Sequence, residues 1–358
     1  MRICVPITAT TTKEALADIA IAEEMGADIL ELRLDFLEDF SNENLATLLS
    51  ARTIPAIVTL RLQQEGGHWQ GGDRKAYFQQ AIDLGAEFID LEFQERFNLD
   101  RNQTKLIYSF HDFQSTPADL DQLYHDMLAA GADIAKIVTT GNPQAILDLQ
   151  KKGPEHLIAI CMGQDGRETR LRGSYLTFAA LNAEKSSAPG QLSIAELIAA
   201  RKKLNIALIG GRGSGKSTYA RTFKDKKVYS TDAMIEDKTG LPIKELIAKK
   251  GWPHFRDLEY EALKELLPLE NIIIDCGGGI ICEQEADGQQ IFSARKAAIL
   301  ERLAHVIWLN PPLETQLERL ATATDRPALN EGQNFLEEMS AVMELRRPWY
   351  QRVADEER

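Results

Sequence analysis

Gly210-Gly211-Arg212-Gly213-Ser214-Gly215-Lys216-Ser217 fits the phosphate-loop pattern G-x-x-x-x-G-K-[ST] and follows a mostly apolar run over residues 204–209. The glycines let backbone N–H groups turn inward around a polyphosphate. Lys216 supplies positive charge for the outer phosphates, and the Ser217 hydroxyl can bind Mg²⁺. Such a loop normally follows the first strand of its domain, but about 200 residues precede it here. The sequence therefore predicts two domains.

Length and composition agree with two globular domains. The chain has 358 residues, more than one hydrophobic core usually holds, of which 44% are hydrophobic and 27% charged. Its net charge of -13 argues against a nucleic-acid or anionic-membrane surface. No signal peptide is visible and no apolar run approaches about 18 residues, so we expect a cytoplasmic protein. The four cysteines form no C-x-x-C pair, which favours reduced core cysteines over a metal or disulfide site.

Short β-branched runs alternate with amphipathic stretches before the phosphate loop. Eight of these runs are candidate strands, at residues 3–7, 29–34, 56–60, 88–91, 106–110, 134–138, 157–161 and 175–179. Helix starts are indicated by the capping box Thr11-x-x-Glu14 and by Thr116-Pro117 and Asn142-Pro143, each an N-cap residue followed by proline. Eight βα units in this length favour a (β/α)₈ TIM barrel over an open doubly wound sheet.

Reactive side chains lie at or near the C-terminal ends of these strands, where such barrels carry their chemistry. They are Glu31 and Arg33 on the second strand, Arg61 and Glu65 after the third, His111 ending the fifth and Lys136 on the sixth. Burying a charged lysine is costly, so the pKa of Lys136 should fall and leave an amine suited to Schiff-base chemistry with a ketone. Read alone, Lys136 could equally extend its amine to solvent, and His111 could be structural. Their joint placement favours catalysis.

Motifs over residues 1–200 resemble those of type I 3-dehydroquinate dehydratase, in the order of that family. They are Glu31-Leu32-Arg33-Leu34-Asp35, Thr59-Leu60-Arg61 with Glu65-Gly66-Gly67, Ser109-Phe110-His111-Asp112-Phe113, Ala132-Asp133-Ile134-Ala135-Lys136 and Ser187-Ala188-Pro189-Gly190-Gln191.

The resemblance implies that Lys136 forms an imine with the substrate ketone, that His111 moves protons and that Glu65 orients or tunes His111. Loss of a proton and then of water gives 3-dehydroshikimate, with no metal or organic cofactor beyond the imine. Arg170 matches the carboxylate-binding arginine of the family. Met162 would pack beside the imine. The residues implied to hold hydroxyl and carboxylate groups are Glu31, Arg33, Arg61, Ser187 and Gln191.

A helical stretch over residues 192–203 leads into the second domain, expected at 203–358 with almost no linker. Its motifs, in order after the phosphate loop, are Thr231-Asp232, Phe255-Arg256 with Glu259, Asp275-Cys276-Gly277-Gly278-Gly279, Arg326-Pro327 and Arg346-Arg347-Pro348-Trp349-Tyr350. This order resembles shikimate kinase, which implies a P-loop kinase domain with a mainly parallel sheet that uses ATP and Mg²⁺.

By this resemblance, Asp232 orients or deprotonates the acceptor hydroxyl. Substrate binding is assigned to Arg256 and Arg346 at the carboxylate and to the backbone N–H groups of Gly278 and Gly279. Nucleotide binding is assigned to Gly210, Gly213, Gly215, Lys216, Ser217 and Thr218, to Arg319 against the adenine and to Arg326 from a mobile lid against the transferring phosphoryl group.

Three features depart from the kinase pattern. Ser230 stands where the family usually has the first acid of Asp-x-Asp. The spacing from Lys216 to Asp232 is short, which should trim the helix after the phosphate loop. The sequence ends soon after Tyr350, without the further strand and final helix of the family. Asp275 could replace the missing carboxylate at Mg²⁺, because it follows an apolar strand; it could equally cap the glycine turn.

Three interpretations follow. The first is a bifunctional enzyme of aromatic amino-acid precursor synthesis. Its two steps are not consecutive, and the sequence has no G-x-G-x-x-G unit for the ketone reduction between them, so a separate reductase must act. The second is an active dehydratase with a degenerate, kinase-like regulatory module that binds nucleotide or shikimate. The third is another Schiff-base enzyme, such as an aldolase, joined to an unrelated small-molecule kinase. We expect small-molecule partners, no nucleic acid and no membrane, and leave open a homodimer through the barrel domain.

Overall fold

The computed structural model describes residues 2–95, 97–153, 155–171, 174–182, 185–188, 190–284, 288–321 and 335–358. The chain forms two compact units, Met1–Leu197 and Ile198–Arg358. Within the described ranges, every helix is too short or too polar to cross a bilayer.

The first unit is built on a curled, wholly parallel sheet. Its strands are β1 (Arg2–Ile7), β2 (Ile29–Arg33), β3 (Ala56–Thr59), β4 (Phe88–Glu92), β5 (Lys105–His111), β6 (Ile134–Thr139), β7 (Leu157–Cys161), β8 (Leu176–Ala180) and β9 (Leu192–Ser193). Their order is β7-β6-β5-β4-β3-β2-β1-β8-β9. The Tyr175 N–H, just before β8, donates to Leu157 O on β7 over 2.7 Å, so β7 and β8 come together and close the barrel. The predicted TIM barrel is confirmed.

The helices of this unit pack around the barrel. They are α1 (Thr12–Met25), α2 (Asn42–Ala51), α3 (Arg74–Asp83), α4 (Leu120–Ala129), α5 (Pro143–Gln150) and α6 (Ile194–Leu204). Two predicted caps are confirmed, because Thr11 accepts the Glu14 N–H and Asn142 accepts the Ala145 N–H.

Other details of the predicted βα pattern are wrong. Helix α4 begins after Asp119, not after Thr116, because the Thr116 hydroxyl instead donates to Thr140 O over 2.6 Å. Among the described residues between β4 and β5 there is no helix, and those between β7 and β8 contain only the 3₁₀ turn Arg167–Arg170. The unit therefore has eight barrel strands but fewer than eight full βα repeats.

One buried apolar side chain from each barrel strand fills the interior. These residues are Cys4, Ile29, Ile57, Phe88, Ile107, Ile134, Ile158 and Leu176. They lie toward the N-terminal half of the strands, so the polar residues farther along β2, β5 and β6 open onto the C-terminal mouth.

The second unit has a five-stranded parallel sheet and a separate hairpin. Its strands are β10 (Ile206–Ile209), β11 (Lys227–Ser230), β12 (Ile272–Asp275), β13 (Cys282–Gln284), β14 (Gln290–Phe292), β15 (His305–Trp308) and β16 (Glu356–Glu357). The main sheet has the order β11-β12-β10-β15-β16, and β13 pairs with β14 in antiparallel fashion. The mainly parallel sheet expected of a P-loop kinase is confirmed.

Six helices lie in the part of this unit that the structure describes. They are α7 (Lys216–Ala220), α8 (Thr231–Thr239), α9 (Ile243–Leu266), α10 (Ala294–Leu303), α11 (Leu313–Ala321) and α12 (Phe335–Val353). The 5-residue α7 confirms the trimmed helix after the phosphate loop. Helix α9 is interrupted at Gly251, whose φ of 82° is the left-handed conformation that glycine tolerates.

The expected absence of a further strand is wrong. Glu356 and Glu357 form β16, in parallel register with Ile307 and Trp308 of β15. The Arg358 N–H extends this pairing by donating to Trp308 O over 2.9 Å. A two-residue edge strand with polar side chains has no hydrophobic alternation, so its sequence gives no strand signal.

Candidate active sites

A cavity of about 90 Å³ opens at the C-terminal mouth of the barrel. It gathers every residue that the dehydratase resemblance singles out. These are Glu31, Arg33, Arg61, Glu65, His111, Lys136, Met162, Arg170, Ser187 and Gln191.

Lys136 is fixed inside the barrel. It is 5% exposed on β6, so the alternative of an amine extended to solvent is wrong. Its Nζ donates to Asp90 Oδ2 over 2.8 Å and to Glu31 Oε1 over 3.3 Å, and lies 4.4 Å from the centre of the Phe178 ring. Two carboxylates and an aromatic face therefore hold the amine at one position in the cavity wall.

Asp90 and Glu92 on β4 bind the cavity residues Lys136 and Arg61, and neither acid was predicted from the sequence. Arg61 donates to Asp90 Oδ1 over 2.7 Å and lies 3.4 Å from Glu92 Oε1. Burial would raise the pKa of Asp90, but the charges of Arg61 and Lys136 outweigh burial and hold it well below its usual range. The sequence did carry one signal for them. Asp90-Leu91-Glu92 lies in a strand, and residues two apart in a strand point to the same face, so this pattern places the two acids together.

His111 and Glu65 form an acid–base pair. Glu65 Oε2 lies 2.8 Å from Nδ1 of His111, the last residue of β5. Burial raises the pKa of the Glu65 carboxyl to about 7. Burial, with the charges of Arg61 and Lys136, keeps the pKa of His111 well below its usual value. The imidazole is therefore neutral at pH 7 and can accept a proton.

Arg170 and Gln191 present donors to the same cavity. Burial lowers the pKa of Arg170 to about 10, so its guanidinium still carries a charge at neutral pH. Gln191 Oε1 accepts the Ser187 N–H over 2.7 Å. The Nε2 of Gln191 is buried, and no described residue offers it a hydrogen-bond acceptor. That amide is available to a bound molecule.

Ion pairs join the segment that contains Ser187 to α1. Lys185 Nζ donates to both carboxylate oxygens of Asp18, over 2.7 and 2.6 Å, and to Glu14 Oε1 over 2.8 Å. These contacts form an ionic anchor between α1 and the segment that includes Ser187.

The phosphate loop connects β10 to α7 in the second unit. Gly213 and Gly215 have φ values of 73° and 92°, which glycine adopts at little cost. Lys216 Nζ donates to Gly210 O and Gly211 O over 2.9 and 3.0 Å. Ser217 and Thr218 follow in the first turn of α7. Phosphate binding by this loop stays a prediction.

Asp275 is the last residue of β12, at the same end of the parallel strands as the phosphate loop. It is in register with Leu208 of β10 and Ser230 of β11, the strands that lead to the phosphate loop and to Asp232. Ser230 caps α8 by accepting the Ala233 N–H over 3.3 Å. The Ser217 hydroxyl and the Asp275 carboxylate are groups of the kinds that suit Mg²⁺. Within the described ranges, no group of three or more His, Cys, Asp or Glu side chains is arranged to hold a metal ion.

Arg319 and Arg326 were both predicted to bind the nucleotide, and the structure describes only Arg319. Arg319 NH1 donates to Gly213 O over 3.1 Å, so its guanidinium rests on the phosphate loop. Its contact with adenine stays a prediction. Arg326, with Pro327, lies outside the described residues.

A second cavity, of about 320 Å³, lies beside the glycine-rich turn after β12. Its polar lining includes the expected substrate residues Asp232, Arg256, Gly278, Gly279 and Arg346, together with Glu259. Its apolar wall includes Ile243, Ile247, Trp252 and Phe255. A cavity lined by Arg256, Arg346 and a third arginine, Arg212, with an apolar wall suits a small carboxylic acid with a carbon ring.

Hydrogen bonds to neighbouring protein groups hold Arg256 and Arg346 in place. Arg256 NH1 donates to Glu259 Oε2 over 2.9 Å and to Gly279 O over 3.2 Å. Arg346 donates to Gly278 O over 2.8 Å. Tyr350 donates its hydroxyl to the same carbonyl over 2.7 Å. The glycine-rich turn thus orients the guanidinium groups through its carbonyl oxygens.

Comparisons with known proteins divide the chain in the same order. The family described as type I 3-dehydroquinase matches residues 3–206, and the shikimate kinase family matches residues 212–357. A 3-dehydroquinate dehydratase of Methanococcus vannielii is 39% identical over 215 residues, 54% of this chain and 96% of that protein. A shikimate kinase of Leptospira biflexa is 34% identical over 155 residues, 42% of this chain and 83% of that protein.

A plant relative joins the first family to another enzyme. The chloroplastic bifunctional 3-dehydroquinate dehydratase/shikimate dehydrogenase of Arabidopsis thaliana is 35% identical over 216 residues, which are 55% of this chain. The chain spans 36% of the length of that relative. From these matches, the chain belongs to the type I 3-dehydroquinase family over residues 3–206 and to the shikimate kinase family over residues 212–357.

Proposed function

We propose that the chain is a bifunctional shikimate-pathway enzyme. Its first unit dehydrates 3-dehydroquinate to 3-dehydroshikimate, and its second unit transfers a phosphoryl group from ATP to shikimate to give shikimate 3-phosphate. The observation that carries the proposal is the placement of buried Lys136 and the His111–Glu65 pair in one cavity of the first unit. A phosphate loop and an arginine-lined cavity in the second unit support the other half.

In the first unit, the Lys136 amine attacks the ketone carbon, and loss of water from the adduct gives an imine. The protonated imine makes the adjacent C–H acidic, and neutral His111 takes that proton through the ring nitrogen that Glu65 does not contact. Protonated His111 then gives the proton to the departing hydroxyl, which leaves as water. Hydrolysis of the imine releases 3-dehydroshikimate and restores the amine.

The remaining side chains of the cavity bind the substrate. Arg170 pairs with the carboxylate, and Gln191 Nε2 donates to a substrate oxygen, since that amide has no other partner among the described residues. The hydroxyl groups are bound by Glu31, Arg33, Arg61 and Ser187. Met162 packs beside the imine, and Asp90 positions the Lys136 amine.

Reductive trapping tests the first activity. Borohydride added with 3-dehydroquinate should fix the substrate on the peptide that contains Lys136, as seen by mass spectrometry. Lys136→Met should give no adduct. Absence of an adduct on the unchanged chain would contradict the dehydratase and would favour another Schiff-base enzyme.

In the second unit, the phosphate loop and Lys216 bind the ATP phosphates, and Thr218 follows in the same turn. Arg256 and Arg346 bind the shikimate carboxylate, while the backbone N–H groups of Gly278 and Gly279 assist. Asp232, whose carboxylate packs against Gly277, orients or deprotonates the acceptor hydroxyl. Arg326 would neutralise charge on the transferring phosphoryl group, and Arg319 would contact the adenine.

Ser217 and Asp275 would hold Mg²⁺, which neutralises phosphate charge during the transfer. Asp275→Asn should therefore raise the Mg²⁺ concentration needed for half-maximal phosphorylation. An unchanged Mg²⁺ dependence would leave Asp275 as a cap of the glycine turn.

Phosphorylation of shikimate separates an active kinase from a regulatory module. We expect ADP and shikimate 3-phosphate to form together, and Lys216→Met to stop both. If ATP and shikimate bound without turnover, the second unit would instead be a binding module. Because ketone reduction separates the two reactions, a separate reductase activity must act between them.

A further inference from the structure

A fully buried lysine lies behind the second cavity and takes no part in the proposed chemistry. Lys296, on α10, is 0% exposed, and its Nζ donates to Glu259 Oε2 over 2.8 Å and to Cys282 O over 2.5 Å. Removing an ammonium group from water is strongly unfavourable unless it is well paired. Such a group in a kinase core therefore calls for a role that an apolar side chain could not fill.

Glu259 connects Lys296 to the cavity. Its Oε2 accepts from Lys296 and also from Arg256 NH1, which is 2.9 Å away on the other side. Glu259 and Arg256 both line the cavity, whereas Lys296 does not. Lys296, Glu259 and Arg256 therefore form a row of three buried charged residues. Glu259 lies between the two cations, and of the two only Arg256 lines the cavity.

Two polar atoms of this row form no hydrogen bond with the described residues. Glu259 Oε1 and Arg256 Nε are buried, and no described residue forms a hydrogen bond with either. The Arg256 guanidinium also lies 4.9 Å from the centre of the Trp252 ring, which limits its rotation. Both residues line the cavity, so a ligand with hydroxyl and carboxylate groups would bind beside this unpaired acceptor and donor.

The charge balance shows what Lys296 adds. Without it, Glu259 would neutralise Arg256, and the pair would attract a carboxylate weakly. With Lys296 bound to the same oxygen, the three residues together keep a net positive charge, and Glu259 Oε2 is shared between the two cations.

We propose that Lys296 is a positioning residue for substrate binding in the second unit. It holds Glu259 in place, and through Glu259 it directs Arg256 toward the carboxylate of the substrate. This role rests on the proposed binding of shikimate.

The test is direct binding of shikimate to the full chain, measured by titration calorimetry, with steady-state phosphorylation alongside. Lys296→Met should raise Kd and KM for shikimate about tenfold or more, as expected for loss of a buried charged hydrogen bond, with kcat changed less than about threefold. The dehydratase rate of the same preparation measures the amount of active chain. Lys264→Met is the matched control, because Lys264 is 47% exposed on α9 and pairs only with Glu261 among the described acids. Its Kd should not change.

A double-mutant cycle tests whether the effect passes through Glu259. Adding Lys296→Met to Glu259→Gln should change Kd by less than about twofold, because the carboxylate that Lys296 holds is already gone. Independent, multiplying effects would overturn the proposal. So would an unchanged Kd in Lys296→Met.

If Lys296→Met alters nucleotide binding or the unfolding transition, Lys296→Gln replaces it in the same cycle, since glutamine keeps a donor for Cys282 O. The same rise in Kd is expected, and an unchanged Kd would overturn the role of Lys296. Failure of the unchanged chain to bind shikimate would contradict the proposed function instead.

Discussion

His111 and Glu65 titrate as a pair, because Nδ1 and Oε2 are 2.8 Å apart in a buried site. The pKa of Glu65 rises from 4.5 to about 7, and that of His111 falls well below 6.5. As the pH rises, His111 therefore becomes neutral first and Glu65 ionises later. Above pH 7 the Glu65 carboxylate makes the imidazole a stronger base.

This order predicts two steps in the pH profile of dehydratase kcat/KM. The rate should rise once well below pH 6.5, as His111 loses its proton, and again near pH 7, as Glu65 loses its own. Glu65→Gln should abolish the step near pH 7 and keep the lower one. A Glu65→Gln profile that retained the step near pH 7 would assign that step to another group.

Gly279 gives a steric prediction for the second cavity. A Cβ at this position would lie 2.7 Å from Arg256 NH2 and 2.9 Å from its Cζ, so Gly279→Ala must displace the guanidinium. We expect KM for shikimate to rise about tenfold or more, as for a lost charged hydrogen bond, with dehydratase activity of the same chain unaffected. An unchanged KM would show that Arg256 can move without weakening binding.

How much of the site the sequence could predict depended on where the partners of each residue lie. Lys136 and His111 were predicted because each stands in a motif at a strand end. Asp90 and Lys296 were missed, because their importance comes from partners 46 and 37 positions away in the chain. Local pattern does not contain such pairings.

At the scale of elements, α1 contributes to the first site although none of its residues lines the cavity. Its Asp18 and Glu14 bind Lys185, two residues before Ser187. The ionic anchor therefore reduces the freedom that the substrate-binding segment must lose when a ligand binds.

Breaking the anchor should weaken substrate binding more than chemistry. Lys185→Met is expected to raise the dehydratase KM about fivefold to tenfold, with kcat changed less than about twofold, because only the ordering of the segment changes. Lys151→Met is the control, since Lys151 is 72% exposed and pairs with Asp148 on the surface. A fall in kcat with unchanged KM would mean that the anchor acts on the chemical step.

The strands of the barrel were predictable because buried parallel strands are short apolar, β-branched runs. The start of α4 was not, since Thr116-Pro117 and Asp119 both resemble helix starts and a contact with Thr140 decides between them. The strand β16 escaped prediction because its backbone pairing with β15, not its side chains, makes it a strand.

At the scale of the whole molecule, the chain carries two separate chemistries. In the proposed function, the first unit would use a covalent amine and an acid–base pair, and the second would use a phosphate loop and arginines that bind anions. All parts of each proposed site that the structure describes belong to one unit. A substitution that stops one reaction should therefore spare the other.

The most direct test measures both reactions on the full chain and on two variants, Lys136→Met and Lys216→Met. We expect the unchanged chain to dehydrate 3-dehydroquinate and to phosphorylate shikimate with ATP. Lys136→Met should lose only dehydration, and Lys216→Met should lose only phosphorylation, each by about a hundredfold or more. Absence of either reaction in the unchanged chain, or loss of both from one substitution, would contradict the account.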